Sequence, residues 1–116
     1  MKIFIIGVGL TEIKSHWDAN SAMLAQQAVR EALNDANLEP KDIGGIITTP
    51  QGYFTDAKDI DRFAPQRMGE YLNINARVQV AVDIGGMSSL AALKYGAYEI
   101  LLEKCGTLLI YASESL

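Results

Sequence analysis

One cysteine and one histidine occur in 116 residues, and those two scarcities exclude much chemistry. Cys105 alone builds neither a disulfide framework nor a zinc site within the chain. His16 sits in a polar stretch with no cysteine or carboxylate at useful spacing, so it reads as surface decoration rather than a ligand or base. Basic residues are scattered and the formal net charge is −4. Neither nucleic acid nor a membrane surface is therefore an expected partner. No apolar run is long enough to span a bilayer, and the apolar opening from Ile3 to Ile6 is too short for a secretory signal. A cytoplasmic location is the expectation. Repeats and low-complexity segments are absent.

What is present is ordinary globular composition, 49% hydrophobic and 21% charged. The length corresponds to one domain, residues 1–116. Residues 3–6 are β-branched and aromatic and are stopped by Gly7, as in a strand buried on both faces of a parallel sheet. Leu24, Ala25, Ala28, Val29, Ala32, Leu33 and Ala36 recur at helical steps, with Asn37 and Pro40 marking the exit. Residues 43–49 read as a second strand, stopped by Pro50. Pro65 opens a short helix bearing Met68, Tyr71 and Leu72. Val78, Val80 and Val82 alternate as a third strand, and residues 107–111 form a fourth. Strand and helix alternate, so the fold class is α/β with a mostly parallel sheet.

The helix over residues 87–103 differs from the first. Between Met87 and Gly96 only Lys94 is charged, and apolar side chains lie all round the axis. Such a helix is normally buried all round. One face packs on the sheet; the other is expected to be sandwiched against a second layer, whether another domain, another chain or a second copy. Ala91, Ala92 and Gly96 are small enough for a second backbone to approach closely. The last strand has only Ala112 to Leu116 after it, as expected of a chain cut within a larger architecture.

Candidate chemistry is sparse. Gly7-Val8-Gly9 invites a dinucleotide-binding reading, but the third small residue of that fingerprint is replaced by Glu12, and no helix follows at once. A tight turn is the better reading, and a nucleotide-binding domain ranks last. Cys105 has only Lys104 as a positive neighbour, so a structural thiol is expected. Nothing in the spacing of Glu12, Asp56, Asp59, Asp61 and Glu114 enforces a metal or acid–base cluster. Gln51-Gly52-Tyr53-Phe54 places two aromatics in a long connection, where they can line a pocket or an interface. The strongest local feature is Asp83-Ile84-Gly85-Gly86-Met87-Ser88-Ser89-Leu90, a strand turning through two glycines into a helix. Free N–H groups at such a start favour an anion or a carbonyl oxygen. Ser88 and Ser89 have no evident base, so helix capping is the expected role.

Several stretches, in order, resemble the thiolase superfamily, which makes or breaks carbon–carbon bonds next to acyl-CoA thioesters. They are Ile6-Gly7-Val8-Gly9-Leu10-Thr11-Glu12, the helix from Leu24 with its exit to Ile43, Arg67-Met68-Gly69-Glu70-Tyr71-Leu72, Gly85-Gly86-Met87-Ser88-Ser89-Leu90-Ala91-Ala92-Leu93, and residues 108–114. The resemblance is closest to the sterol-carrier-type thiolases and covers only the first part of the family's length. It implies an N-terminal half-domain whose last helix lies between two similar halves, and dimerisation, often through residues 78–82. It also implies that Gly86 occupies the position of the nucleophilic cysteine, with Ser88 matching the serine of the Cys-x-Ser-Gly motif and Ser89 replacing its glycine. Glycine cannot carry an acyl group. The implied catalytic set is therefore empty here, with Gly85, Gly86, Met87 and Ser88 left to line a substrate site. The implied substrate is a coenzyme A thioester, with no covalently bound cofactor and no metal. Two readings follow: a thiolase-like acyltransferase or aldolase-like lyase with altered chemistry, or a non-catalytic partner or scaffold in an acyl-CoA-processing assembly. The implied partner is a second thiolase-like half or subunit, or a second copy.

Overall fold

The computed structural model describes residues 2–14, 20–49 and 63–113. The fold is built on three short parallel strands, β1 (Gly45–Thr48), β2 (Val78–Ala81) and β3 (Leu108–Tyr111), in the order β2-β1-β3. Gly45 stands opposite both Val78 and Leu108, so the three strands share one register. β1 is buried at every position, and Ile46 and Ile47 have no exposed surface. Parallel strands need both faces covered. Helices α1 (Ser21–Ala36) and α2 (Ala64–Leu72) cover one face and α3 (Ser88–Leu101) the other.

Side-chain alternation along the strands sorts the two layers. Ile46, Leu109 and Tyr111 join Ala25, Val29, Leu33, Met68 and Leu72 in one core cluster. Ile47, Leu108 and Ile110 face α3, where they meet at Gly96. A Cβ on Gly96 would lie 3.0 Å from Leu108 Cδ1 and 3.2 Å from Ile110 Cδ1. The small residues Ala92 and Gly96 therefore let α3 approach its own sheet. The expectation that they face a second layer is corrected, because both are buried on the sheet side. The opposite face of α3, carrying Leu90, Leu93, Tyr98 and Leu101, is exposed on this chain.

Polar groups lock the arrangement. Thr48 Oγ1 donates to Tyr111 O at 2.9 Å, and Tyr111 Oη donates to Ala64 O at 2.9 Å, joining β1, β3 and α2. Arg30 Nε donates to Tyr71 Oη, and its guanidinium lies 5.2 Å from that ring's centre, joining α1 to α2. Each helix exits through a left-handed residue: Asn37, Asn73 and Glu103 have φ of 54°, 55° and 57°. The i to i−5 bonds Leu38 N to Leu33 O, Ile74 N to Gly69 O and Lys104 N to Glu99 O close the last turns. Asparagine tolerates this conformation, whereas glutamate adopts it at a cost.

The strand expected at residues 3–6 is not in the sheet. Residues 2–12 have no regular secondary structure, and Phe4, Ile5 and Ile6 are exposed. The reason is visible at the two glycines. A Cβ on Gly9 would fall 2.0 Å from Ala28 O, and one on Gly7 2.5 Å from Ala32 O. Gly7 and Gly9 lay the backbone against the Ala28, Ala32 and Ala36 stripe of α1, and Val8 N donates to Asp35 Oδ2 at 2.9 Å. The tight turn expected at Gly7-Val8-Gly9 is thus corrected to a close backbone approach.

Two outcomes follow for stability, both measured by chemical denaturation. Gly96→Leu drives a side chain into Leu108 and Ile110 and is expected to destabilise the chain by about 1–3 kcal/mol. Glu103→Gly relieves the left-handed strain and is expected to stabilise it by about 0.5–1 kcal/mol.

Candidate functional site

The turn between β2 and α3 is where the strongest sequence signal falls. β2 ends at Ala81, and residues 85–87 form a single 3-10 turn that runs directly into α3. Gly85 makes the reversal with φ of 72°, a conformation that favours glycine. Asp83 Oδ1 accepts from Gly85 N at 3.3 Å. Ser88 is buried, and its hydroxyl clamps the turn: Oγ accepts from Ile84 N at 3.0 Å and donates to Gly85 O at 2.7 Å. This refines the expected capping role. Ser88 ties the preceding turn together, while the cap position of α3 is Met87 and has no side-chain hydrogen bond. Ser88 Oγ is committed to two backbone groups, Ile84 N–H and Gly85 O, neither of which is a base, so it is not arranged as a nucleophile.

Gly85, Gly86, Met87 and Ser88 are brought together as one short surface. Gly86 and Met87 are exposed, Gly85 is half-buried and Ser88 is buried. A Cβ at Gly86 would meet no atom within 4 Å. The position therefore has space for a side chain or for a ligand atom. No side chain caps the start of α3, the Ser88 N–H is taken by Gly85 O within the turn, and the positive end of the helix dipole lies at this turn. The surface suits a carbonyl oxygen or an anion, and Gly86 itself offers no reactive group.

Cys105 lies elsewhere, against the start of β1. Its sulfur is 3.2 Å from where a Gly45 Cβ would stand, and its Cβ is 3.0 Å from that of Gly44. The thiol is half-buried. Desolvation first, and the nearby Glu99 carboxylate second, raise its pKa above that of an ordinary thiol, with Arg77 opposing. The packing and the direction of the shift both fit the structural thiol read from the sequence. Tyr95, on α3, is likewise raised, chiefly by its hydrogen bond to Glu99.

The remaining candidates do not converge. Glu12 pairs with Lys14 at 3.2 Å on the surface. No group of three or more histidine, cysteine, aspartate or glutamate side chains suits a metal among the described residues. His16, Gln51-Gly52-Tyr53-Phe54, Asp56, Asp59, Asp61 and Glu114 lie outside the described residues. A cleft of about 50 Å³ between α1 and α2, lined by Ala22, Ala25, Gln26, Ala64, Arg67, Met68 and Tyr111, shares no residue with the Gly85–Ser88 turn. Sequence reasoning missed this cleft because its lining is scattered over three elements. No helix among the described residues is long and apolar enough to cross a membrane.

No family model matches the sequence, and no curated protein matches it. Solved structures do match the fold. The 3-oxoacyl-[acyl-carrier-protein] synthase III of Aquifex aeolicus superposes with a TM-score of 0.72 at 19% identity, over 94% of this chain and 34% of that one. A histidine-to-aspartate variant of Xanthomonas campestris OleA gives 0.67 at 18% identity, over 83% of this chain and 27% of that one. A cysteine-to-alanine variant of the same OleA gives 0.64 at 19%, over 81% and 26%. The chain spans about a third or less of the length of each. Both proteins belong to the thiolase superfamily, and the α/β fold described above is that of a thiolase-like half-domain.

Proposed function

We propose that this chain is the N-terminal part of a thiolase-like protein that acts on acyl-CoA thioesters at a carbon–carbon bond, with Gly86 where that family's nucleophilic cysteine stands. The carrying observation is the open turn at Gly85–Ser88, set at the dipolar start of α3 in a thiolase-like fold. The positive end of the α3 dipole there would favour a thioester carbonyl oxygen. With no side chain at Gly86, the turn would hold substrate without forming an acyl-enzyme. Acid–base groups would come from a second thiolase-like half, and the exposed apolar face of α3 is the surface available for it. Dimerisation through residues 78–82 would use the outer edge of β2, which is the edge strand of this sheet. The compartment that fits this role is the cytoplasm.

A second reading is favoured by the missing nucleophile. In it the chain is a non-catalytic partner in an acyl-CoA-processing assembly, and α3 serves as its docking face. The two readings part on whether the Gly85–Ser88 turn binds a thioester.

Titration calorimetry with acetyl-CoA and a long-chain acyl-CoA measures that directly. Binding that is lost in Gly86→Trp supports the substrate site, and no binding to the chain removes it. Gly86→Cys supplies a complementary measurement. The introduced thiolate would attack the thioester carbonyl and expel the CoA thiolate, forming a new thioester visible as an added mass. Wild type, whose only thiol is Cys105 with its raised pKa, is expected to remain unacylated. The introduced thiol is also expected to react with iodoacetamide at neutral pH about tenfold faster than Cys105, because the start of α3 stabilises its thiolate.

A further inference from the structure

We draw no further inference here: the strongest candidate, the cleft between α1 and α2 lined by Gln26, Arg67, Met68 and Tyr111, is too small to be a ligand site, because its volume of about 50 Å³ holds only about two water molecules.

Discussion

The burial of β1 on both faces is the constraint on which the rest depends. Ile46 points into the α1 and α2 layer and Ile47 into the α3 layer, and neither has exposed surface. Full burial of side chains of this size is worth about 1.5–3 kcal/mol each. A central parallel strand has no alternative partner for its backbone, so β2 and β3 must flank it in one register. That register aligns the ends of the strands and places the β2-to-α3 turn beyond one of them. The candidate site is thus a consequence of sheet order, because the chain must leave β2 and return over the sheet as α3.

Glycine sets the spacing between layers in three places. Gly96 lets α3 rest on Leu108 and Ile110, Gly45 makes room for the Cys105 sulfur, and Gly7 with Gly9 lets an extended segment touch the backbone of α1. Each is a contact that a single Cβ would push apart. Gly85 and Gly86 are different. Gly85 supplies a left-handed turn, and Gly86 faces open space. Steric need explains the first, while nothing around the second requires glycine. An unconstrained glycine at the dipolar start of α3 is the feature on which the proposed thioester reading rests.

Two apolar surfaces remain on the described chain, the outer face of α3 and the outer face of residues 4–10. The α3 face is a helix surface with Lys94 Nζ 5.9 Å from the centre of the Tyr98 ring, and it suits another packed layer. The outer face of residues 4–10 carries Phe4, Ile6, Val8 and Leu10, with the Val8 N–H held by Asp35 Oδ2.

Much of this was legible in the sequence. Helical spacing from Leu24 to Ala36, the Asn37 exit, the Pro65 start and the β-branched runs each act locally, through propensity and side-chain period. They determined three helices, three strands and the α/β class. The resemblance carried by Gly85 to Leu93 marked the turn at the start of α3. What the sequence misplaced was residues 3–6. A β-branched run states that a segment is extended and apolar, but not whether a sheet has an edge to receive it. Only the tertiary structure decided that Gly7 and Gly9 meet α1, that Ala92 and Gly96 face the chain's own sheet, and that Ser88 holds a turn rather than capping a helix. Those are contacts between elements distant in sequence or choices between two faces of one element, and local pattern carries no information about either.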